Sequence, residues 1–111
     1  MTTISFSPAA EDIFSVRKAV YRMIVTRATK KLTDSADIKE LEMSELFDDI
    51  SLYSLSDAQR ARLESALLAG ILTLREDINA GRPTEEPVRN GIESVLDELV
   101  EFMQTHLSPS T

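Results

Sequence analysis

The 111-residue chain has no cysteine and no tryptophan, and only three glycines and four prolines. Without cysteine it cannot carry a disulfide framework, a thiolate zinc site or a cysteine nucleophile. With so few breakers, long stretches run uninterrupted, which favours helices over an all-β chain that must turn often. Long apolar runs are missing too, and none approaches the roughly 18 residues of a membrane span. The first residues, Met1-Thr2-Thr3-Ile4-Ser5-Phe6, lack the basic region and apolar stretch of a secretory signal. These absences lead to the expectation of a cytoplasmic protein without a membrane partner. His106 is the one histidine. A metal-binding histidine cluster is therefore excluded, and a nucleophilic hydrolase is disfavoured. No glycine-rich phosphate loop is present.

Positive charge is in short supply as well. Twelve Lys and Arg stand against nineteen Asp and Glu, for a net charge of −7. Such a chain is repelled by nucleic acid and anionic lipid unless its cations are concentrated. They are unevenly placed: residues 1–33 carry six basic groups against two acidic ones, and the remainder six against seventeen. Nucleic-acid binding is nevertheless disfavoured, since no aromatic-basic interleave and no basic recognition helix accompanies the first segment.

What is present is helical periodicity. Residues 1–8 read as an N-terminal arm, with a short alternating Thr-Ile-Ser-Phe-Ser run ended by Pro8. The steps of Ile13, Val16, Val20, Ile24 and Ala28 predict a first helix over about 9–32. Asp34 or Ser35 can cap a second helix over 36–50. Ile38 and Leu41 phase poorly with Met43, Leu46 and Phe47 there, so one kinked helix and two short ones, with Ser44 capping the second, fit equally. Ser56-Asp57-Ala58-Gln59 matches a capping box, and the third helix runs from it to Asn79, with Gly81 and Pro83 as the stop. Thr84 can cap a fourth helix with Glu85 and Glu86 in its first turn. Its seam would be Val88, Ile92, Val95, Leu99, Phe102 and His106, with Leu96, Val100 and Met103 as a second row. The expected fold is all-α: a four-helix bundle-like domain over 9–107, with three long helices, a short or broken second one, and a frayed tail over 108–111.

Two rows of acids are candidates for function. Glu42-x-x-Glu45-x-x-Asp48 puts three carboxylates along one helical face, and Glu93, Asp97 and Glu101 do the same at four-residue spacing. Facing rows of this kind could hold Mg²⁺, a hard ion that takes oxygen ligands. The arrangement resembles the all-α nucleotide pyrophosphohydrolases, whose Glu-x-x-Glu and Glu-x-x-Asp motifs on neighbouring helices bind magnesium. The second of those motifs has no full counterpart here, Glu98-x-x-Glu101 being its nearest approach. That resemblance implies the alternative of a Mg-dependent nucleotide hydrolase.

The other reading treats the acids as a recognition surface. Acidic four-helix immunity proteins are similar in size and charge at the level of fold. The apolar stripes of the first, third and fourth helices are wider than one neighbour covers, which suggests a homodimer or another protein partner. This favours a non-enzymatic interaction or regulatory protein, of adaptor, inhibitor or immunity-like type, with no cofactor or metal. Glu42, Glu45, Asp48 and Asp49 are the partner-binding residues expected.

Overall fold

Within the segment read as an N-terminal arm, Thr2–Ser5 is a strand, the middle one of a sheet. The computed structural model describes residues 1–88 and 90–106, so the tail expected over 108–111 lies outside the described residues. The chain is mostly helical with a small three-stranded sheet, in the order β1 (Thr2–Ser5), β2 (Ile13–Val16), α1 (Lys18–Ala28), α2 (Ser35–Phe47), β3 (Asp49–Ser51), α3 (Asp57–Asn79) and α4 (Ile92–His106). It is therefore not purely all-α.

The first helix starts at Lys18 because Ile13–Val16 pairs as a strand. Ile13, Val16 and Val20 satisfy a helical period, but Ile13-Phe14-Ser15-Val16 is also a short apolar run rich in β-branched and aromatic residues, which periodicity alone cannot assign. Pairing decides the matter. β1 and β2 run antiparallel with Thr2 opposite Val16 and Ser5 opposite Ile13. The hairpin closes where Phe6 N donates to Asp12 O at 2.9 Å and Ser7 Oγ donates to Asp12 Oδ2 at 2.6 Å. On its other edge β1 pairs parallel with β3, Ile4 beside Ile50, and both of those side chains are buried.

α1 and α3 form the main helix contact, and Gly70 permits it. A Cβ at that position would lie 2.7 Å from Ile24 O and 3.0 Å from Ala28 N. Tyr21, Ile24, Leu63, Leu67, Ile71, Leu74, Leu96 and Leu99 are among the fully buried side chains of one continuous core. Each such side chain contributes about 1.5–3 kcal/mol relative to exposure.

α3 follows its sequence signals closely. Ser56 accepts from Gln59 N at 3.2 Å as its N-cap, and Gly81 turns the chain at φ +71°. α2 is one helix and not two: Ser44 caps nothing, and its buried hydroxyl donates to Leu41 O and accepts from Tyr21, 2.6 Å away. α4 starts at Ile92, later than expected. Thr84 Oγ1 donates to Glu86 O instead of capping. Pro87 disfavours helical backbone at Glu86, and Glu85 and Glu86 are drawn to Arg27 and Arg22 of α1. The buried row of α4 is Leu96, Leu99, Val100 and Met103, while Val88 and Val95 of the expected seam are exposed. α4 packs on α3 along this row, and its end rests on the β1–β2 hairpin through Phe102, whose ring lies against Phe6 and Phe14.

Candidate functional site

α2 begins at Asp34, whose side chain accepts from Ala36 N at 2.8 Å. Only Asp37, Leu41 and Ser44 are buried along it, at i, i+4 and i+7, so the helix attaches by a narrow stripe. Its last turn carries Leu46 and Phe47, which are 72% and 71% exposed. The helix stops when Asp48 enters the left-handed region at φ 55° and ψ 29°. A short polar side chain tolerates that conformation better than most. The chain passes directly into β3, which leaves Leu46 and Phe47 as an apolar knob at the corner between helix and sheet.

The four acids expected to bind a partner gather at this corner, but in different roles. Glu42 is exposed, one turn before Leu46, and has no ion-pair partner among the described residues. Glu45 is half-buried, and desolvation raises its pKa, opposed by Arg22 and Lys18 and assisted by Glu42. Asp48 Oδ1 lies 3.2 Å from Lys18 Nζ, with both side chains more than two-fifths exposed. Asp49 is turned inward. It accepts from Thr3 Oγ1, from Ser5 Oγ at 3.2 Å and from Ser51 Oγ at 2.6 Å. Its carboxylate thus fastens β3 to β1.

A groove of about 550 Å³ lies between the start of α1 and the start of α4. Its walls include Met1, Arg17, Val20, Met23, Ile92 and Val95. Met1 and Val95 are themselves among the exposed large hydrophobics. Arg17 is exposed and, among the described residues, unpaired. Sequence reasoning missed this groove, because it depends on where the β1–β2 hairpin sits against two helix starts.

The two acidic rows do not assemble into a metal centre. No group of three His, Asp or Glu side chains among the described residues is placed to hold an ion. Asp97 of the α4 row pairs with Arg75 at 2.9 Å. The basic face of α1 is mostly neutralised from within. Lys18 meets Asp48, Arg22 meets Glu86 at 3.5 Å, and buried Arg27 meets Asp77 at 2.9 Å and Glu85 at 2.6 Å. Of these partners, only Asp48 belongs to the end of α2, as its C-cap.

His106 closes the opposite end. Its ring stacks 4.3 Å from Phe102 and 5.2 Å from Phe6, and its Nε2 lies 2.9 Å from Asp12 Oδ1. Its Nδ1 lies 2.8 Å from Phe102 O. Asp12 is held below the usual carboxylate range by Ser7 and then by His106. The aspartate lies between the serine and the histidine, so the imidazole has no contact with the hydroxyl it would need to activate. These contacts tie the end of α4 to the β1–β2 hairpin.

No family model matches the chain, and neither a curated protein nor a solved structure matches it. No helix among the described residues is long and apolar enough to cross a membrane.

Proposed function

We propose that this chain is a non-enzymatic interaction or regulatory protein of the cytoplasm. In this reading the helices form a bundle-like body that presents the α2 corner to a protein partner. The observation that supports it is the pair Leu46 and Phe47, 72% and 71% exposed side by side at the end of a helix and flanked along the chain by Glu42, Glu45 and Asp48. Desolvating two such side chains provides affinity at the centre of an interface. The acids around them select a partner whose socket has a basic rim, and they speed the encounter at low salt. Asp49 stands outside this role because its carboxylate is engaged by three hydroxyls of the sheet.

The test compares complexes formed by the wild-type chain, by Leu46→Ser/Phe47→Ser, and by Leu72→Ser. Leu72 is a partly exposed residue of α3 outside the corner. The expected result is that the corner variant loses the complexes, self-association included, while Leu72→Ser keeps them. Complexes that survive the corner variant at unchanged strength would overturn the reading.

A further inference from the structure

We propose that the corner and the groove are two halves of one self-complementary surface: in a two-fold dimer, Leu46 and Phe47 of each copy enter the groove of the other. This rests on the recognition corner proposed above and names its occupant as a second copy of the chain.

Four observations carry it. First, a short path joins the groove to the knob. Groove-lining Arg17 precedes Lys18, and Lys18 bridges to Asp48, the residue after Phe47. A two-fold axis near that bridge would set each knob opposite the partner's groove, which is the condition for an isologous contact. Second, the knob does not serve its own groove, since neither Leu46 nor Phe47 is among its lining residues. Third, the two halves agree in chemistry. Of the seven exposed large hydrophobics among the described residues, Leu46 and Phe47 form the knob, and Met1 and Val95 line the groove. A groove of about 550 Å³ is of the size that encloses small organic ligands, and so has room for two side chains. Fourth, each half has a charge lacking an ion partner in its own chain among the described residues: Glu42 beside the knob and Arg17 on the groove wall. Exchange between copies would bring each Glu42 to the other chain's Arg17 and satisfy both. Because the contact occurs twice in a two-fold dimer, its buried area is doubled, which helps a chain of this size towards a specific interface.

The experiment uses sedimentation velocity over a concentration series for the wild-type chain, Phe47→Glu and Val95→Arg, and native mass spectrometry of an equimolar mixture of the two variants with one isotopically labelled. Both substitutions are at exposed positions, and circular dichroism checks that each variant folds. Arg17→Glu, Glu42→Arg and their combination provide a second, surface-only set. The exchange predicts a wild-type dimer and a dissociation constant raised about 30-fold or more in either single apolar variant. It also predicts mixed dimers in preference to either homodimer in the mixture. There the intact knob of Val95→Arg still finds the intact groove of Phe47→Glu. Arg17→Glu and Glu42→Arg should each weaken the dimer, and their combination should restore it. A chain that stays monomeric up to about millimolar concentration would overturn the second copy as occupant while leaving the corner open to a different protein. A dimer abolished by Phe47→Glu but untouched by Val95→Arg would mean that knob packs on knob, and would overturn the exchange alone. A dimer indifferent to Phe47→Glu would count against both the exchange and the corner.

Discussion

Gly70 of α3 faces the backbone of Ile24 in α1 so closely that a Cβ there would sit 2.7 Å from the Ile24 carbonyl oxygen. The obstacle is helix backbone, which cannot swing aside as a flexible side chain would. Gly70→Ala should therefore force α1 and α3 apart and destabilise the fold by about 1–3 kcal/mol, even though alanine is the better helix former. Urea unfolding followed by circular dichroism would measure this. A stabilised variant would show that the crossing can relax at little cost.

Arg27 is the buried charge of α1. It donates to Asp77 at 2.9 Å, Glu85 at 2.6 Å and Met23 O at 3.0 Å. Glu85, then Asp77, hold its pKa up against burial. The pair with Glu85 also anchors the segment before α4, so the loss of Arg27 should act locally as well as globally. Arg27→Met keeps much of the volume and removes the charge. It should cost about 1–3 kcal/mol and should speed amide exchange in residues 84–88 more than in α3. Uniform exchange rates across both segments would show that the ion pair does not organise that loop.

Acid should destabilise the protein as pH falls through the ordinary carboxylate range and below it. Asp37, held down by Arg62, Asp77, held down by Arg82 and Arg27, Glu85, held down by Arg27, and Asp12, held down by Ser7 and His106, all have native pKa values below their ordinary ones. A depressed native pKa contributes stability that is complete above the unfolded value and is lost as pH falls through the native one. Glu45 works the other way, since desolvation raises its pKa and protonation relieves it. Four groups against one predict a Tm that is level near neutrality and falls below about pH 5. Arg62→Gln should flatten that fall by removing the group that depresses Asp37. A Tm that stays flat or rises between pH 6 and pH 3, by calorimetry, would contradict the sign.

How far the fold was legible depended on whether a signal was local. The Ser56 cap and the Gly81 stop are read off adjacent residues, and α3 lies where they place it. Thr2–Ser5 offered only a short alternation and no sign of its partners, the parallel one, β3, being 46 residues away at Thr3 and Asp49. α4 carries two interleaved apolar rows, and its buried face takes Leu99 from the seam and Leu96, Val100 and Met103 from the second row, a choice made by the elements it packs against. The candidate site divides in the same way. The acids Glu42, Glu45 and Asp48 were visible as a row. The exposure of Leu46 and Phe47 was not, because it follows from the left-handed turn at Asp48 and from a helix held only by Asp37, Leu41 and Ser44.

The acids of the corner should separate by experiment into those that hold the fold and those that face a partner. Asp49 accepts from the hydroxyls of Thr3, Ser5 and Ser51. Asp49→Ala would strand three part-buried donors and loosen β3 from β1. A cost of about 1–3 kcal/mol is expected, seen in urea unfolding, with any weakening of association following the loss of folded protein. Glu42 is exposed and unpaired among the described residues. Glu42→Gln should leave stability within about 0.5 kcal/mol yet weaken association several-fold at low salt, with the difference shrinking as salt screens the lost charge. Measuring unfolding and association on the same two variants makes the contrast internal. If Glu42→Gln destabilises the monomer, or if Asp49→Ala leaves it unchanged, the division of labour at the corner is wrong.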